Sequence, residues 1–197
     1  YTERVASLKE DLVQYPELLT SLNQAATAAE QLFINAEVHL DLHDNRITAR
    51  DKALSESGNL NDTWDFFNDD LTYFADTAKS QGLINTFNDI HRAMEQASKA
   101  MTILQRSLAL ATSEKAADFQ KELLKYHAEF AAEITKAKAA LPDQAADLQY
   151  YFDELDRAIV QPLGIFQQQV KFLEYNDQSR VIFEDTAQQM EQISAEL

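Results

Sequence analysis

Four side chains able to do chemistry follow one another at helical spacing: His39, His43, Arg46 and Arg50, at steps of four, three and four. Such steps place all four along one stripe of an α-helix. Two guanidiniums one turn apart, backed by imidazoles, can hold a carboxylate through paired, charge-assisted hydrogen bonds. The stripe therefore reads as an anion site built on Arg46, Arg50 and His43. The plainer alternative pairs the arginines with Asp44, Asp51 or Glu37 on a solvated face and makes His43 a satisfied core histidine. His39 and His43, with Asp41 or Asp44 nearby, also have the spacing of two metal ligands. A di-iron bundle would need a glutamate three residues before a histidine on each of two helices, and the equivalent positions before His91 and His127 hold Asn88 and Leu124. With no cysteine there is no thiol nucleophile, thiolate zinc site or haem attachment, and Met94 and Met101 read as core residues rather than haem ligands. No glycine-flanked serine elbow or phosphate-cradling loop is present, so no enzyme, metal or cofactor is expected.

The elements that must carry these groups are helices. From Val5 the chain keeps a 3-4 spacing through Leu8, Leu12, Tyr15, Leu19, Leu22, Ala26, Ala29, Phe33, Ala36, Leu40, His43, Ile47 and Arg50. That seam predicts a helix over 3–56, kinked or briefly broken at Pro16, in which His43 and Arg50 sit where the pattern reserves a core position. Ser57, Gly58 and Asn59 read as the first turn. A second helix from about Asn61 aligns Trp64, Phe67, Leu71 and Phe74; folded back at Gly58, it would face Arg50, Ile47, Arg46 and His43 with an aromatic wall that includes Trp64 and Tyr73.

Further seams run from Leu83 to Ala111, from Phe119 to Leu141, from Leu148 to Ile159, and from Ile165 to Ile193 and Leu197, with breaks at Gly82, near Thr112 and Ser113, at Pro142, and at Pro162 to Gly164. In the last seam Asn176, Ser179 and Thr186 stand where apolar residues belong. They read as groups that fix helix register or hold water, with hydrogen bonding to a ligand lodged between helices as the alternative. The expected fold is all-α: one elongated, antiparallel up-down helical bundle over 1–197. It has either four long kinked helices, with Gly82 and Pro142 as kinks, or six helices in two stacked four-helix modules. Both versions bring the two chain ends to the same end of the bundle. At 1.5 Å per residue the first helix would be on the order of 80 Å long, a rod.

Composition agrees with a helical protein that has a sizeable core. Of 197 residues 45% are hydrophobic, and three glycines and three prolines offer few of the turns a sheet requires. Seventeen basic against 33 acidic residues give a net charge of −16, which repels nucleic-acid phosphates and anionic lipid surfaces. No apolar run approaches the roughly 20 residues that span a bilayer. The chain starts at Tyr1 without a methionine and ends in the helical run from Ala187 to Leu197, as a segment cut from something longer would.

An acidic, cysteine-free bundle with both ends at one pole and arginines on the inner side of its first long helix resembles the periplasmic sensor domain of bacterial methyl-accepting chemotaxis proteins. Helix count and first-helix length are more similar to the helical bimodular type than to the simple four-helix type, and sensor histidine kinases share these architectures. The resemblance implies a periplasmic or extracellular homodimer, joined to the membrane only through flanking segments. It implies an organic acid or amino acid bound between helices, its carboxylate held by Arg46 and Arg50, and a signal passed as a small shift of the last helix, residues 162–197. A passive helical scaffold with acidic faces for basic partners is the competing expectation. A pore-forming toxin fragment is disfavoured, because no apolar hairpin is available for insertion.

Overall fold

The structure, a computed structural model, describes residues 2–196, and among them it is all-α. Six α-helices form: α1 Thr2–Asp11, α2 Pro16–Ser80, α3 Ile84–Ser107, α4 Ala116–Ala140, α5 Ala145–Ile159 and α6 Ile165–Glu196. Single 3₁₀ turns at Ser113–Lys115 and Pro142–Gln144 precede α4 and α5. Leu197, expected to close the last seam, lies outside the described residues, as does the side chain of Ile193.

Several expected breaks occur where the backbone chemistry demands them. Pro16 opens α2 as its first helical residue, where a missing N–H costs nothing, after a turn closed by the Tyr15 N–H donating to the Leu12 carbonyl at 2.8 Å. Gly82 adopts φ 76° and ends α2 with paired bonds: its own N–H donates to the Lys79 carbonyl and the Leu83 N–H to the Ala78 carbonyl, at 3.0 and 2.8 Å. That arrangement satisfies carbonyls a helix end would otherwise leave open.

The expected turn at Ser57, Gly58 and Asn59 does not form, and α2 runs straight through it. One exposed glycine inside a helix costs only about 1 kcal/mol relative to alanine, less than burying Ala53, Leu60 and Phe67 on the same helix returns. Turns and kinks therefore trade places. The chain reverses at Gly82 and at Pro142, both candidates for mere kinks, and passes through Gly58 without reversing.

By packing, the chain divides into two compact units: Tyr1–Asn45 with Tyr175–Leu197, and Arg46–Glu174. The second holds the large core, built on Phe67, Leu71, Ile90, Leu123, Phe130 and Phe166. Its neighbours run antiparallel. On α3 and α4, Arg92 meets Glu133, Lys99 meets the Tyr126 ring and Arg106 the Phe119 ring, each seven residues forward on α3 matched by seven back on α4. Asn61 meets Gln105 and Lys79 meets Phe87 between α2 and α3. Between α2 and α5, Asp70 accepts from Tyr151 and Glu56 pairs with Arg157 at 3.3 Å. Phe172 of α6 then lies against Arg50, farther back on α2, so the Gln161–Gly164 junction continues the direction of α5.

Gly164 is indispensable to that junction. A Cβ there would stand 1.9 Å from the Arg157 carbonyl oxygen and 2.9 Å from that of Ala158.

In the first unit α2 and α6 also pair antiparallel, Asn35 with Thr186 and His39 with Ser179. The predicted seam holds through Leu19, Leu22, Ala26 and Ala29, which are buried or half-buried, and from Leu32 on the buried phase of α2 moves by one residue. Here Leu32, Asn35 and His39 are half-buried and Leu42 is buried, whereas Phe33 and Leu40 are each 64% exposed. In the second unit Ala49 and Ala53 are buried while Ile47 is exposed. Apolar residues occupy two adjacent stripes of this helix, and a 3.6-residue period cannot choose between stripes one residue apart.

Candidate functional site

The one-residue change of phase decides where the expected site residues stand. Arg46, in the second unit, is half-buried and engaged with neighbouring groups. Arg50 is exposed, and its guanidinium carbon lies 5.0 Å from the centroid of the Phe172 ring. Stacking of a planar cation on an aromatic face is favourable and leaves the rim of the guanidinium open to hydrogen-bond acceptors. Among the described residues Arg50 forms no ion pair, so Asp51, beside it in the same unit, does not neutralise it. In the first unit His43 is half-buried and engaged.

The expected aromatic wall does not face these arginines. Because α2 continues through Gly58, Trp64 and Tyr73 lie 14 and 23 residues beyond Arg50 on the same helix, roughly 20 and 35 Å along its axis. Trp64 stacks on Phe67 at 4.8 Å and packs against the core. The crevice beside it, lined by Leu60, Thr63 and Tyr151 among others, measures about 10 Å³, at most the space of one water. Tyr73 is exposed, edge-on to Phe74. Neither can share a small ligand with Arg50.

The Nδ1 of His39 lies 3.1 Å from the Ser179 hydroxyl across to α6, and no group of three or more potential metal ligands exists among the described residues. Asn35 donates to Thr186 Oγ1 at 3.3 Å and to Gln189 Oε1 at 3.4 Å. Two of the polar positions of the last seam, Ser179 and Thr186, thus bond across to α2 within the first unit.

The first unit also holds a groove of about 340 Å³, lined by Leu32, Ala36, Leu40, Ile182 and Phe183 with Asn35, His39 and Thr186. Thr186 is the lining position that the sequence marks as able to face a ligand between helices; the apolar pair Ile182 and Phe183 one turn away counts only once α2 is known to lie beside it.

Elsewhere in the second unit the polar groups read as structural. Burial, together with the hydrogen bond to Asp70, pushes the Tyr151 phenol well above its ordinary value. Burial would raise the Glu133 carboxyl, but the hydrogen bond from Lys136 and the charge of Arg92 outweigh it and hold the group below its ordinary value. His127 Nε2 lies 3.1 Å from Asp156 Oδ1 with its ring beside Phe152, a contact that ties α4 to α5. No helix among the described residues is long and apolar enough to cross a membrane.

What fold and site define is an all-α protein with a solvent-facing arginine stacked between two helices. No family model, curated protein or solved structure matches the chain, so its function has to be argued from these residues.

Proposed function

We propose that the chain is the ligand-sensing domain of a bacterial transmembrane chemoreceptor or a related sensor kinase. In this reading it is an up-down helical bundle, dimeric and extracytoplasmic, that binds a small carboxylate at Arg46 and Arg50 and responds with a displacement of α6. Arg50 carries the reading. Its side chain bridges α2 to α6 through Phe172 without a carboxylate partner, so an incoming anion finds a guanidinium already oriented by the ring. Arg46, one turn away on the same helix, completes a fork for a carboxylate, and the wall expected of Trp64 and Tyr73 is replaced by Phe172.

The same contact supplies a route for signal. A carboxylate bound to the rim of Arg50 favours the helix packing that keeps Arg50 on Phe172, and a cation–π contact of about 0.5–1 kcal/mol present in only one of two packings shifts their ratio roughly two- to fivefold. The register of α6 against α2 within the first unit rests on polar contacts of 3.1–3.4 Å, which a small shift can exchange at low cost.

The test is a thermal-shift screen of organic acids and amino acids against wild type and Arg50→Ala. At least one carboxylate should stabilise the wild type, and the substitution should abolish that stabilisation while leaving the unliganded melting temperature within a few degrees. If no carboxylate stabilises the protein, or Arg50→Ala responds equally, the sensor reading fails and the passive acidic scaffold takes its place.

A further inference from the structure

Between Lys52 and Lys79, within the second unit, α2 carries six acidic residues and no basic one. Three of the acids belong to an outward stripe: Asp62, Phe66, Asp69, Tyr73 and Asp76 follow at steps of four, three, four and three, and all five are exposed. Phe66 is 71% and Tyr73 65% exposed, large rings left uncovered by the core beneath them. Among the described residues no ion pair engages Asp62, Asp69 or Asp76. The same two rings flank Asp70, four residues before it and three after, and Asp70 accepts from Tyr151 of α5. They therefore stand between α5 and the line of acids. On α5 the neighbouring ring, Tyr150, is 50% exposed and 5.4 Å from that of Tyr151, and the charge of Asp147 bears on the same phenol. Together α2 and α5 present an aromatic shelf with carboxylates from both helices along it.

Exposed apolar residues scattered singly are ordinary, but rings at heptad spacing beside acids without ion-pair partners are not scattered. The geometry points to a docking face for one occupant, a basic amphipathic α-helix of another protein. It lies along α2 and α5 with aliphatic residues on Phe66, Tyr73 and Tyr150 and with lysines or arginines against Asp62, Asp69 and Asp76.

Periodicity selects a helix. The acids recur every seven residues, about 10 Å apart along the axis, so one heptad-spaced row of cations on an opposing helix meets all three over about 21 Å. Charge selects its sign. A second copy of this chain would set the same acids against one another, whereas a cationic partner gains from the carboxylates and from the ring faces beside them. At their exposures the three rings offer roughly 400 Å², and with the carboxylates and the partner's share the contact covers roughly 1,000 Å² in all, the low end of specific interfaces, where transient complexes sit. The face begins 12 residues beyond Arg50 on α2 and does not depend on what Arg46 and Arg50 bind.

The probe is a fluorescein-labelled three-heptad peptide with leucine at a and d and lysine at e and g, whose flanking like charges oppose self-pairing, titrated with the full chain and read by fluorescence anisotropy. It should bind in the micromolar range. A peptide of the same composition with the seam scrambled should bind about tenfold more weakly, and raising the salt from about 50 to about 300 mM should weaken the patterned peptide severalfold. Asp62→Asn with Asp69→Asn and Asp76→Asn, and separately Phe66→Ser with Tyr73→Ser, should each weaken binding about tenfold, with helical circular dichroism unchanged because all five positions are exposed. Glu17→Gln with Glu30→Gln and Glu37→Gln removes the same charge from exposed positions of the first unit and should leave binding within about twofold. The proposal is overturned by a patterned peptide that does not bind up to about 1 mM, by a scrambled peptide that binds equally, or by either second-unit variant binding as tightly as the wild type. It is overturned too if the first-unit variant loses as much, since net charge alone then explains the contact. Spermidine that displaces the peptide at equal concentration replaces the helix by a small polyamine. None of these outcomes alters the carboxylate screen, so the two readings fail separately.

Discussion

Replacing Gly58 by alanine should stabilise the protein, and the sign of the effect alone separates two structures of this segment. In the structure Gly58 sits mid-helix in α2, exposed, and a Cβ built on it meets nothing within 4 Å. The substitution thus adds no clash, removes no contact, and narrows the freedom of the unfolded chain. Helix-interior glycine is less favourable than alanine by about 0.8–1 kcal/mol, and that is the expected gain. For a chain of this size it corresponds to a rise in melting temperature of about 2–4 °C. Urea unfolding followed by circular dichroism would show the midpoint moving up with an unchanged slope. Had Ser57, Gly58 and Asn59 formed a turn with Gly58 at positive φ, alanine would cost about 1–2 kcal/mol instead. A lowered midpoint would refute the continuous α2, and with it the argument that separates Trp64 and Tyr73 from Arg50.

Gly164→Ala should have the opposite effect, since its Cβ would lie 1.9 Å from a backbone oxygen of α5 that cannot rotate aside. A loss of about 1–3 kcal/mol or more is expected from overpacking, read as a lowered urea midpoint, and a neutral result would contradict the close α5–α6 junction. Glu133 should make the α3–α4 pairing acid-sensitive. Its carboxyl titrates lower in the folded protein than its ordinary value of 4.5, so its contribution is complete above that value and is lost as pH falls through the folded one. The difference in urea midpoint between wild type and Glu133→Gln should therefore shrink as the pH falls below 4.5, and a difference that is constant with pH would remove Glu133 from the pairing.

Where these predictions come from bears on how the fold was read. Pro142 and Gly82 announced chain reversals correctly as breaks, because proline lacks an N–H and Gly82 takes a backbone conformation that side chains disfavour. Gly58 announced a break that packing overrode. The direction kept between α5 and α6 was not legible at all: Gln161, Pro162, Leu163 and Gly164 look like a turn, and only the contact of Gly164 with the end of α5 shows that the chain carries on. For the candidate site, Arg50 was identified from its spacing after Arg46. Its neighbour Phe172, 122 residues later in the chain, was invisible until α6 was placed beside α2.

Local chemistry in the sequence determined that this protein is helical, acidic and without thiol chemistry, and roughly where its later helices begin and end. Periodicity, proline and glycine act over a few residues, and each leaves its mark in the order of the chain. Which side of α2 faces inward beyond Ala29 was decided only by tertiary structure. The stripe through Phe33 and Leu40 and the stripe through Leu32, Asn35, His39 and Leu42 differ by one residue, or 100° of rotation. Both can be packed. The hydrogen bonds of Asn35 and His39 to α6 select the second for the chain itself, and leave the first, the one the sequence displays more plainly, to face outward.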